Sequence, residues 1–179
     1  HGVESLFATV RPSPGETGVF SPLGKGRQLA ALATRQVAMR IAALQKTPTN
    51  QVIHSLGLFP SGLARWINDS DVDVVNLHWI CAEALSIREI ARIKKPIVWT
   101  MHDMWPFMGA EHYDDLDHPG RWRSQYSASN RPINYRGPDL DRFTWARKSR
   151  AWGDKVFHLV APSHWLAACA RESALMGGQ

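Results

Sequence analysis

Residues 71–103 read DVDVVNLHWICAEALSIREIARIKKPIVWTMHD, and this stretch decides the fold. Val72, Val74, Val75 and Leu77 form a near-continuous apolar run, the pattern of a parallel strand covered on both faces. Ala82 to Ile93 carries Leu85, Ile90 and Ile93 on one side of a helix, and Pro96 stops it. Ile97-Val98-Trp99-Thr100 is a second buried strand. Two such strands joined by a crossover helix make a right-handed βαβ unit in an α/β fold, a Rossmann-like open parallel sheet flanked by helices. Asn76 and His78 close the first strand, and His102 and Asp103 close the second. Ligands of open α/β sheets bind outside the carboxyl ends of the strands, so both histidines fall where chemistry is expected.

Working outward, Ser5 to Val10 reads as a short strand, and the prolines and glycines of Arg11–Gly26 mark a loop. From Arg27 to Gln45 the pattern is helical: Leu29, Leu32, Val37, Ile41 and Leu44 keep close to a period of about 3.6 residues. Gln51 to Leu56 reads as a short strand, and Ser61 to Asn68 as a short helix capped by Ser61. Residues 104–139 form a long loop holding Trp105, Phe107, His112, Tyr113, Trp122 and Tyr126; a loop of that length inside a domain is usually functional or mobile. Asp141 to Trp152 is a helix with Trp145, Lys148 and Trp152 on one side, and Val156 to Val160 is a last strand. Ser163 caps the closing helix.

The chain has 179 residues, 44% hydrophobic and 21% charged, which suits one domain with a core of its own and excludes disorder. No apolar run approaches the roughly 20 residues that span a bilayer. The opening His1-Gly2-Val3-Glu4-Ser5 lacks the basic and apolar regions of a signal peptide. Cys81 and Cys169 have no C-x-x-C spacing, so neither zinc site nor disulfide framework is indicated, and a reducing, cytoplasmic compartment is expected. A net charge of +5 favours polyanionic partners. Yet no basic run exceeds Lys94-Lys95 and the tryptophans are scattered, so no nucleic acid is expected as a partner.

Val74-Val75-Asn76-Leu77-His78-Trp79, then Val98-Trp99-Thr100-Met101-His102-Asp103-Met104-Trp105, then Ala161-Pro162-Ser163-His164-Trp165-Leu166 occur in that order. Together they resemble the N-terminal domain of family 4 retaining glycosyltransferases, especially bacterial enzymes of cell-surface polysaccharide synthesis. The resemblance covers roughly residues 50–175. It implies one half of a GT-B fold, in which two Rossmann-like domains face each other across a cleft. The N-terminal half holds the acceptor, here a glycan or a lipid-linked acceptor, and the other half holds the nucleotide-sugar. No cofactor and no metal are implied. His102 matches the cleft histidine near the transferred sugar, with Asp103 fixing the loop or the imidazole. His78, Asn76, Trp105, Phe107 and His112 are the substrate-binding candidates. Residues 1–179 are then expected to be a single incomplete domain, without the family's first strand and glycine-rich loop and without the donor domain. Many relatives carry cysteines in the loop after H-D-x-W, whereas residues 109–139 here have none.

Each candidate also has a plainer reading. His102 can simply cap a strand end. Trp105 and Phe107 can stack on a sugar face or anchor a long loop. Glu111, His112, Asp114, Asp115 and His118, together with His102 and Asp103, would suit a metal-dependent hydrolase, or the cluster forms a solvated acidic turn. A carbohydrate-binding module without catalysis is the other alternative. The basic residues between 121 and 150 (Arg121, Arg123, Arg131, Arg136, Arg142, Arg147, Lys148 and Arg150) suggest a surface for anionic lipid, which would place the protein peripherally on the inner face of a membrane.

Overall fold

The computed structural model describes residues 2–178 apart from residues 14 and 16. Its centre is a three-stranded parallel sheet in the order β3-β4-β5, formed by β3 (Val75–His78), β4 (Ile97–Thr100) and β5 (His158–Val160). The register pairs His78 with Thr100 and Thr100 with Val160. The βαβ unit read from residues 71–103 is present, with α3 (Ile87–Arg92) as the crossover. The fold is thus α/β, a Rossmann-like parallel sheet flanked by helices.

The crossover helix is shorter than the sequence pattern suggests. Ser86 and Glu89 close a reciprocal capping box, each side chain accepting the other's backbone N–H, and this fixes the first turn at Ile87. Before it, residues 81–84 are turns, and Ala82 and Glu83 hold φ of 53° and 64°. The buried Glu83 carboxylate accepts the Phe59 N–H at 2.7 Å, which outweighs the helix preference of the alanines around it. Glu89 also accepts the backbone N–H of Ser61 and Gly62, so one carboxylate holds α3 and the entry to α2 (Leu63–Asp69) together. Gly62, at φ 97°, takes the position expected of Ser61 as the residue before the helix.

Among the described residues, helices cover only one face of the sheet. Leu77, Ile97 and Trp99 are buried there, and Trp99 meets Trp152 and Phe157 edge-on with ring centroids 5.5 and 5.4 Å apart. Trp152 ends α5 (Leu140–Trp152), which Asp139 caps by accepting the Arg142 N–H. The alternate strand residues Asn76, His78, His158 and Val160 are exposed. The expectation of strands covered on both faces therefore does not hold. The valines of this stretch reflect strand preference as much as burial.

Further elements depart from the sequence reading. Phe7–Ala8 (β1) pairs in parallel with Val19–Phe20 (β2), inside the stretch read as loop. Residues 51–56 form no strand; only an isolated bridge joins His54 to Glu111. The 18-residue helix α1 (Lys25–Ala42) is present, but Ala31 and Ala38 are the residues it buries. Leu29, Val37 and the following Leu44 are exposed. A short α4 (Arg121–Ser124) lies in the long loop, and α6 (His164–Glu172) is capped by Ser163 as expected.

Candidate functional site

The parallel register puts the ends of β3 and β4 side by side, and two imidazoles meet there. His78 Nδ1 and His102 Nε2 are 3.0 Å apart, in a hydrogen bond where one ring donates and the other accepts. Both side chains are exposed. One step back along the same face, Thr100 donates its hydroxyl proton to Asn76 Oδ1 at 3.0 Å. Asn76, His78 and His102 thus share one open rim.

Asp103 turns the other way. Its Oδ2 accepts from His112 Nδ1 at 2.6 Å, and its Oδ1 accepts the Trp105 backbone N–H at 3.0 Å. With Nδ1 protonated, His112 Nε2 accepts the Ser55 hydroxyl proton at 2.9 Å. Ser55 Oγ in turn accepts the Ala82 N–H at 3.5 Å. Asp103, His112, Ser55 and Ala82 therefore form a buried relay from the loop after β4 to the turn after β3. That turn carries positive φ at Trp79, Ala82 and Glu83, a conformation costing roughly 1–3 kcal/mol per non-glycine residue. The relay is one of the contacts that hold it. Its Ser–His–Asp connectivity matches that of a hydrolytic triad. But all three side chains are sealed, and the hydroxyl is already engaged on both sides. It is a clamp.

A second clamp holds the same loop. Lys148, fully buried on α5, donates to the carbonyl oxygens of Trp105, Met108 (3.0 Å) and Gly109 (2.8 Å). Its ammonium also lies 3.6 Å from the Trp105 ring centroid, a cation–π contact. Burial pulls the Lys148 pKa down to about 7. Trp105 Nε1 donates to the Ser55 carbonyl at 2.8 Å.

These contacts revise the expected substrate-binding set. Trp105, Phe107 and His112 are sealed, at 1%, 0% and 3% exposure, and present no face to a ligand. The aromatic rings anchor the loop, and His112 serves the relay. Asp103 fixes the loop through His112, with no contact to the His102 imidazole. Ser55 and Lys148 were missed from the sequence as site-building residues. Lys148 did carry a signal, a lysine on the helix side of Trp145 and Trp152; Ser55 carried none.

The acidic loop does not converge. Tyr126 donates its hydroxyl proton to Glu111, and Asp114 accepts from Trp122 Nε1 at 2.7 Å. Asp115 accepts from Thr49 and Tyr135, and His118 is exposed. Among the described residues no group of three or more His, Cys, Asp or Glu side chains is arranged to hold a metal ion. Burial first, then the charge of Asp141, raise the Glu111 pKa well above its ordinary range. The basic stretch is divided too: Arg121 is buried in an ion pair with Asp139 at 2.8 Å, and Lys148 faces the core.

Beside the rim a groove of about 420 Å³ runs between α1 and residues 51–56. Arg35 and Met39 line one wall, His54 and Ser55 the other, and Trp79, next after His78, reaches into it. The groove and the histidine pair thus adjoin through a single residue. A profile of Glycosyltransferase Family 4 matches residues 16–174. The chain belongs to Glycosyltransferase Family 4. Neither the curated proteins nor the solved structures yield a match. A glycosyltransferase domain accounts for the open rim at the strand ends, where this fold class binds its ligands.

Proposed function

We propose that this glycosyltransferase domain is the acceptor-binding wall of a retaining enzyme that moves a sugar from a nucleotide-sugar to a glycan or lipid-linked acceptor, in cell-surface polysaccharide synthesis. The observation that carries the reading is the His78–His102 pair on the rim, 3.0 Å apart and open to solvent. A second domain across the rim would hold the donor. His102 is then a positioning and electrostatic group. It hydrogen-bonds a sugar hydroxyl or, when protonated, sets positive charge beside the departing diphosphate. His78 holds the His102 ring in place, and Asn76 extends the same rim. The relay and the Lys148 clamp keep the backbone that follows His102 from shifting. The groove beside Trp79 takes the acceptor.

The test is transfer from a panel of labelled nucleotide-sugars by the protein that contains this domain, with His102→Ala alongside. The substitution is expected to lower kcat about 100- to 1,000-fold, as loss of a preorganised transition-state donor does. The fold should be unaffected, because the side chain is exposed. Unchanged kcat would remove His102 from the mechanism. Release of free sugar from an acceptor, with no donor needed, would replace transfer with hydrolysis.

A further inference from the structure

Most of the tryptophans lie in the hydrophobic core, but Trp79 stands outside it. Its side chain is 46% exposed, and its backbone holds φ 37°, a left-handed conformation that is costly for a bulky residue. The turn after β3 carries this strain without burying the indole, so core packing does not account for the residue. The ring is nevertheless held in place. It lies 6.2 Å from the His112 ring, centroid to centroid, and Asp103 and Ser55 fix that imidazole. The turn beneath it is closed by the Leu85 N–H, which donates to the Ile80 carbonyl at 3.1 Å, and by the Ala84 N–H, which donates to the Cys81 carbonyl at 3.2 Å. A rigid, half-open aromatic face loses little freedom when a ligand settles on it.

Trp79 is also the wall that two recesses share. It lines the groove of about 420 Å³, within the roughly 300–1,000 Å³ of small-molecule sites, and it lines the small recess at Thr100 and His102. A molecule that extends from the groove to the histidine pair must pass the indole. Polar groups share the groove with it: Arg35 and Gln51 are exposed on its walls, and Arg35 has no partner among the described residues.

A pyranose ring matches this mixture. Its C–H bonds gather on one face and its hydroxyls project from the edge. Stacked on the indole, the C–H face leaves water while the hydroxyls reach the polar walls. An alkyl chain would cover the indole equally well but would leave those polar groups desolvated and unpaired.

We infer that Trp79 is the stacking platform for a pyranose ring, which it holds beside His102. The inference rests on the sugar-transfer reading for the statement that this ring is the acceptor's, and it names the residue that recognises it.

Fluorine NMR of the chain labelled with 5-fluorotryptophan reads binding without any transfer, and Trp79→Phe assigns the resonance. The probes are the methyl pyranosides of glucose, galactose, mannose, rhamnose and N-acetylglucosamine, with sorbitol as an open-chain polyol and hexanol as an alkyl chain. At least one pyranoside is expected to move the Trp79 resonance saturably, and Trp165, 59% exposed and lining neither recess, should stay in place. No shift with any pyranoside, an equal shift at Trp165, or an equal shift with sorbitol or hexanol would overturn the inference. In the protein that contains this domain, with the bound pyranoside as acceptor, Trp79→Ala should raise the acceptor KM about tenfold and leave the donor KM as it was. Trp79→Phe should recover most of the loss. An unchanged acceptor KM in Trp79→Ala would also overturn it. Saturable pyranoside binding by a parent that transfers no sugar would uphold the stacking site and remove the transfer reading instead.

Discussion

From Met101 to Ala110 every residue except His102 is buried, whereas along α1 only Ala31 and Ala38 are. The first segment is irregular backbone, whose polar groups need partners once water is gone. Lys148, Asp103 and the Ser55 backbone N–H help supply them, and Trp105 and Phe107 fill the space between. The helix satisfies its own backbone and needs no such help. Two alanines then suffice to rest it on the protein, and its larger side chains are left outside. His102 is the one exposed residue on a buried, satisfied segment, whereas α1 rests on two alanines with its larger side chains outside.

The strongest way to break the comparison is Lys148→Met. It leaves the carbonyls of Trp105, Met108 and Gly109 without their shared buried donor. A loss of about 3 kcal/mol or more is expected from urea denaturation. A loss below about 1 kcal/mol would mean that the loop does not depend on the clamp.

A medium effect is expected from Glu111→Gln. Burial and the charge of Asp141 raise the Glu111 pKa from its ordinary 4.5, so the folded chain keeps a proton that the unfolded chain gives up. The stabilisation is full below about pH 4.5 and declines as pH rises through the raised value. The melting temperature of the parent should fall over that range, and the glutamine variant should flatten the slope. An unchanged slope would locate the titration elsewhere. The smallest effect should come from Leu29→Gln with Val37→Gln, within about 0.5 kcal/mol each. A larger loss would show that these side chains are covered after all.

The βαβ unit and the placement of both histidines were legible because strand, helix and strand each have a distinct apolar rhythm, and register then follows from parallel pairing. The capping box Ser86-x-x-Glu89 was also written in the sequence. It was masked by Ala82 and Ala84, which favour a helix until Glu83 turns to bind Phe59. The period of α1 located the helix but not the side it buries, since periodicity gives a stripe without a direction. Trp105 and Phe107 were ambiguous for a similar reason: an aromatic in a loop reads alike whether it meets a sugar or a neighbouring helix. The contacts of Trp105 with Lys148 and of Phe107 with Trp122 separate the two, and no local pattern encodes them. Ser55 joins the relay across 57 positions in the chain, beyond the reach of any local pattern.

The bond between His78 and His102 also gives the rim a built-in gauge. One nitrogen belongs to the last residue of β3 and the other to the loop just after β4, and the two share a single proton. A molecule that wedges between the rings, or nudges one strand end sideways, must part them. Labelled imidazole nitrogens would register that separation as a change in resonance frequency, so occupancy of the cleft can be followed spectroscopically without modifying the molecule that enters it.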